Sequence, residues 1–162
     1  MKKLGLLMVL ALLLAGCGAK DYEGVADVYA PEALPAAREL LVSLPPDAAA
    51  MESSDGQLWL CDGYTVSSIT RPSGDLDATL RAVTGYGREQ LEVLSWEYDG
   101  LNRYACVWVS AGEGGDQLAR TEVLDDGAYH YCLTLQAEAD RAGALQETWG
   151  NMLDTLSLNI VP

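Results

Sequence analysis

The spacing of apolar residues along this chain changes several times, and each change marks an element. Residues 4–14 form one unbroken apolar run. Further on, Leu34, Ala37, Leu40, Leu41 and Leu44 recur at helical spacing until Pro45-Pro46, which predicts a helix over 31–44 with Pro35 tolerated only in its first turn. Residues 47–56 read as a connection of small residues. The period then drops to two, with 58–61 and 64–70 flanking Asp62-Gly63, a pair that accepts positive φ and closes a hairpin. Ser73 is the expected N-cap of a helix over 75–84, with Leu76, Leu80 and Val83 inward and Gly85 at its end. Strands over 91–98 and 103–111 meet at Asp99-Gly100. A Gly-rich connection over 112–116 leads to strands over 118–124 and 128–136, joined at Asp125-Asp126-Gly127. Asp140 opens a last helix whose stripe of Ala142, Leu145, Trp149, Met152, Leu153 and Leu156 is the clearest in the chain.

Helix, two strands, helix, four strands, helix is the order of an α+β domain. Tight turns make neighbouring strands antiparallel, so about six strands form one antiparallel sheet flanked by helices. The residues from Gly115-Asp116-Gln117 through Asp125-Asp126-Gly127 and 129–134 to Trp149 and 152–156 resemble the C-terminal part of PsbP-type domains. That resemblance spans roughly residues 108–158; the first half agrees only in element order. It implies an α/β/α sandwich, used to bind or organise other proteins and without a shared active site. A fold does not by itself give a function.

The beginning of the chain carries a separate pattern. Lys2 and Lys3 precede the apolar run, which is well short of the about 20 residues that span a bilayer. Leu14-Ala15-Gly16-Cys17 then resembles the lipobox of bacterial lipoproteins. The resemblance implies cleavage between Gly16 and Cys17, a diacylglyceryl group on the Cys17 thiol, and a protein held to the extracytoplasmic face of a membrane by that lipid. The expected plan is a signal peptide over 1–16, the lipidated cysteine and a tether over 17–30, and a single domain over 31–162. The tether reaches at most about 45 Å when fully extended. Gly18 follows the cysteine, which permits the outer membrane in a source with two membranes.

Charge narrows the partners. The chain carries a net −14, which becomes −16 once Lys2 and Lys3 are removed. So acidic a surface repels phosphate backbones, and nucleic acid is not an expected partner. Cys61, Cys106 and Cys132 stand apart, with no CxxC pair for a zinc site, and neither metal nor cofactor is expected.

Few residues suggest chemistry. His130 and Cys132 fall on the same side of one strand, where a thiol and an imidazole can in principle act together, though no acidic orienter is evident. Trp96 with Tyr98, and Tyr104 with Trp108, form the candidate binding surface should a sheet face stay uncovered, since such side chains anchor interfaces. The expectation is a membrane-anchored, non-catalytic domain that binds a protein partner or organises an envelope assembly. Two alternatives stand beside it: a thiol-dependent enzyme or factor using Cys132 and His130, and a carrier of a small apolar ligand between sheet and helix.

Overall fold

The computed structural model describes residues 33–112 and 114–159. Nine strands form among them: β1 (Leu40–Leu41), β2 (Ala49–Met51), β3 (Gln57–Cys61), β4 (Tyr64–Pro72), β5 (Leu94–Tyr98), β6 (Leu101–Gly112), β7 (Gly115–Asp125), β8 (Tyr129–Glu138) and β9 (Ser157–Leu158). Three α-helices accompany them: α1 (Leu76–Thr84), α2 (Ala139–Ala142) and α3 (Gln146–Asp154). Seven strands make one sheet in the order β2-β3-β4-β8-β7-β6-β5, and β1 pairs separately with β9. All neighbouring strands are antiparallel. The fold is α+β, as the alternation and turns predict, with one more strand in the main sheet than expected.

Local chemistry sets the hairpins. Gly63 takes φ +80° between β3 and β4, while Asp99 at +53° and Gly100 at +71° supply the two positive values of a type I′ turn between β5 and β6. The Gly-rich connection is shorter than 112–116, because β6 and β7 stay paired as far as Gly112 and Gly115. On β8, Tyr131, Leu133 and Leu135 point to one face and His130, Cys132 and Thr134 to the other, and all six are buried. Both faces of the sheet centre are therefore covered.

One face holds the larger core. Tyr64, Val66, Leu124, Tyr131, Leu133 and Leu135 pack there with Trp149, Met152, Leu153 and Leu156 from α3 and the chain after it. The expected last helix starts in place but is interrupted, since residues 143–145 form a 3-10 turn between α2 and α3. Its stripe survives the break, and Ala142, Trp149, Met152, Leu153 and Leu156 are all buried.

The predicted helix over 31–44 is replaced by extended chain. Leu40, Val42 and Leu44 lie against the core while Leu41 and Ser43 face outward, a period of two hidden inside the helical spacing. Pro35 lacks the N–H that an inner turn needs and holds Leu34 extended, which leaves a segment too short to be helical alone. Pairing decides the matter. Leu40 aligns with Leu158 and Leu41 with Ser157, the Arg38 N–H donates to the Tyr131 hydroxyl at 2.9 Å, and the Arg38 guanidinium donates to the Asn159 carbonyl at 2.8 Å. β2, inside the expected connection 47–56, also escapes the pattern because its three residues are all exposed.

The N-cap of α1 lies two residues beyond Ser73. Asp75 is the N-cap, its Oδ1 accepting from the Asp77 N–H at 2.9 Å, and Gly85 closes the helix at φ +82° as expected. Ser73 instead donates from its hydroxyl to the Gly127 carbonyl at 2.6 Å, tying the start of α1 to the β7–β8 turn. Asp75→Ala is expected to cost about 1 kcal/mol by urea unfolding. An unchanged midpoint would show that this cap does not hold the helix.

Candidate functional site

α1 lies over the face that carries His130 and Cys132. The His130 Nδ1 and Thr79 Oγ1 are 2.7 Å apart, and its Nε2 stands 3.8 Å from Asp125 Oδ2, too far for a hydrogen bond. Asp125 faces His130 across the β7–β8 pairing, an acidic neighbour that the spacing in sequence does not reveal. Thr79, His130 and Asp125 thus stand in a line, but Thr79 and His130 are buried and the arrangement fastens α1 to the sheet. Burial also pushes the Cys132 thiol up to about 12 and the Cys106 thiol up to about 11, which removes the thiolate at neutral pH. All three described cysteines are free and buried. In the folded protein Cys132 is expected to resist iodoacetamide at neutral pH and to react once urea unfolds the chain. Fast labelling of the native state would reopen the thiol reading.

The four aromatic residues divide between the faces. Tyr104 and Trp108 project toward the α1 side, where the Trp108 Nε1 donates to Thr121 Oγ1 at 3.0 Å and its ring lies 6.4 Å from that of Tyr86. Both are half-buried. Trp96 and Tyr98 project to the other face from β5, the outermost strand, and are 40% and 63% exposed. They do not form one surface with Tyr104 and Trp108.

That second face is only half covered. α3 packs over β3, β4, β8 and β7, while β5 and β6 extend beyond it. Register places Leu94 opposite Ala105, Trp96 opposite Arg103 and Tyr98 opposite Leu101, with Val107 and Val109 further along β6 on the same face. Leu94, Trp96, Tyr98, Val107 and Val109 consequently form an exposed apolar strip. Isolated exposed apolar residues are ordinary, but a contiguous strip on an edge strand is a common mark of an interaction site.

Between this strip and α3 runs a groove of about 470 Å³. Leu94, Ala105, Val107 and Leu118 line it from the sheet, and Trp149 and Gln146 from the helix. Arg120 of β7 also lines it, half-buried and without a hydrogen bond or ion pair among the described residues. A neighbouring arginine is engaged at two of its three nitrogens: Arg103 donates from Nη1 to Glu122 Oε1 at 3.1 Å and from Nη2 to the Leu156 carbonyl at 2.9 Å, with the Tyr98 ring 5.0 Å from its Cζ, while its buried Nε has no partner among the described residues. Neither Arg120 nor the Arg103–Glu122 pair is legible in sequence, because each depends on strand register and on where α3 stops.

Gly16 and Cys17, the expected cleavage and lipidation residues, lie outside the described residues. No helix among the described residues is long and apolar enough to cross a membrane.

No protein-family model matches the chain, and no curated protein does. Solved structures do. CyanoP, the cyanobacterial PsbP of Synechocystis, superposes with a TM-score of 0.56 at 11% identity, over 76% of this chain and 95% of that one. LpqN, involved in cell envelope biogenesis of Mycobacterium tuberculosis, superposes with a TM-score of 0.53 at 14% identity, over 78% of this chain and 86% of that one. At such identities the likeness establishes the fold. The PsbP-like α+β architecture that the C-terminal residues resemble is the architecture of this domain.

Proposed function

We propose that this chain is a cell-envelope lipoprotein, held by a lipid on Cys17, whose domain works by binding a protein partner and carries out no catalysis. The observation that carries the reading is the exposed apolar strip of Leu94, Trp96, Tyr98, Val107 and Val109 beside an open strand edge. β5 alternates apolar residues on the strip face with Ser95 and Glu97 on the other, all exposed, and has no Pro or Lys to block pairing. An extended segment of a partner would pair with its free backbone groups and lay alternate apolar side chains beside Trp96. The buried, protonated thiols and the buried His130 support a domain without a nucleophile.

Intact mass of the membrane-extracted protein, beside a Cys17→Ala variant, tests the anchor. The expected product lacks residues 1–16 and carries acyl mass that the variant lacks. An unprocessed, unacylated chain would overturn the envelope reading. A photo-crosslinker placed at Ser95 tests the edge: a discrete crosslinked species in intact cells, lost on Trp96→Asp, is expected. Crosslinking unaffected by Trp96→Asp would remove the strip from the partner site.

A further inference from the structure

We propose that the groove between α3 and strands β5 to β7 binds a small amphiphile with a carboxylate head. This goes beyond partner binding at the edge and stands independently of it. A volume of about 470 Å³ lies within the ordinary range for small-molecule sites, roughly 300–1,000 Å³. Its walls are apolar along Leu94, Val107 and Leu118. They supply an apolar body with contacts but do not fix the sign of its head.

The sign comes from the donors. Arg120 is half-buried among these residues with no hydrogen bond or ion pair among the described residues; the nearby Glu122 carboxylate feels its charge but is paired with Arg103. The other arginines differ: Arg103 is paired with Glu122, Arg81 with Asp77 and Glu89 and Arg141 with Glu138, Arg38 donates to the Asn159 carbonyl, and Arg71 and Arg88 are exposed to water. Trp149 borders the groove from the helix side, and its fully buried indole Nε1 has no acceptor among the described residues. An unpaired guanidinium in the wall calls for a negative or accepting group. A guanidinium sheltered by apolar walls binds a carboxylate more strongly than one in open water, and its fork matches both carboxylate oxygens. Glu92 is exposed where it borders the groove, which repels an anionic head there and leaves Arg120 as its seat.

The helix leaves room for such a ligand. Gly150 lies one turn after Gln146 on the groove side of α3, and a Cβ built there meets nothing within 4 Å. Glycine inside a helix is unfavourable, and no contact within the chain requires it here.

The test uses the full-length chain in phospholipid nanodiscs with a diazirine-bearing decanoate as probe, mapped by mass spectrometry. Labelling is expected on the peptides that contain Leu94, Val107 and Gln146, competed by plain decanoate. Arg120→Gln should reduce it about tenfold or more, and matching decanol and decylamine probes should label weakly. Gly150→Leu removes an interior helix glycine and adds a side chain on the face of α3 that carries Gln146, so it should raise the melting temperature while reducing labelling. Labelling that is diffuse and uncompeted, unchanged in Arg120→Gln or in a folded Gly150→Leu, or equal with the decylamine probe would overturn the proposal. Loss of the Ser95 crosslink alone would leave it standing, since that readout concerns the edge strand.

Discussion

Arg103→Met is expected to lower stability by about 3–5 kcal/mol at neutral pH, among the largest effects of any single change in this domain. The Arg103 and Glu122 side chains are 9% and 4% exposed, and their 3.1 Å contact is sealed between β6, β7 and the end of α3. Without the guanidinium the Glu122 carboxylate is left buried and uncompensated, and the Leu156 carbonyl loses its donor. Removing both charges as Arg103→Met with Glu122→Leu should recover most of the loss, because the pair's mutual attraction does little more than offset the desolvation of its members. Urea unfolding of the two single variants and the double variant gives the coupling directly.

The pH dependence has a definite sign. Burial pushes the Glu122 carboxyl above the ordinary glutamate value, and Arg103 only partly counters it. An acid raised in the folded state binds more protons folded than unfolded, so stability falls as pH rises through the window between its unfolded and folded values. Arg103→Met widens that window upward. Its deficit relative to the natural chain should therefore be small at and below the ordinary glutamate value and grow as pH rises above it. A deficit that stays constant with pH would mean that packing, and not charge, makes Arg103 necessary.

Trp149→Ala is expected to cost about 3–5 kcal/mol, a large share of the roughly 5–15 kcal/mol that holds a domain together. Trp149 is fully buried at the centre of α3, its ring 6.2 Å from that of Tyr64. Truncation opens a cavity between helix and sheet on the face where Val66, Leu133 and Leu135 pack, and α3 loses its main anchor. Trp149→Phe should cost far less, because the indole N–H makes no hydrogen bond among the described residues. Trp96→Ala removes the same side chain from the exposed edge and should change stability by less than about 1 kcal/mol. Equal losses from Trp149→Ala and Trp96→Ala would contradict the assignment of core and strip.

Several features were legible because their causes are local. Asp62-Gly63 and Asp99-Gly100 readily accept positive φ, taken by Gly63 in the first and by both residues in the second, so the hairpins follow from those dipeptides. The sides of β8 follow from a period of two, and the inner face of α3 from a stripe that persists through the 3-10 turn before it. Other features had no local cause. Leu40, Val42 and Leu44 satisfy a strand period as well as a helical one, and the choice fell to a partner strand, Ser157–Leu158, more than a hundred residues away. Ser73 and Asp75 both suit a helix start, and the Gly127 carbonyl claims Ser73.

The candidate site lies at that boundary. Sequence by itself determined that Trp96 and Tyr98 share one side of a strand, and that Arg103, Arg120 and Glu122 fall in strand-forming stretches. Only the tertiary structure decided that β5 is an edge, that α3 stops short of it, and that Glu122 pairs with Arg103 and not with Arg120. Alternation and turn chemistry act over a few neighbouring residues, whereas coverage of a face and pairing of charges depend on register between strands and on where a distant helix comes to rest.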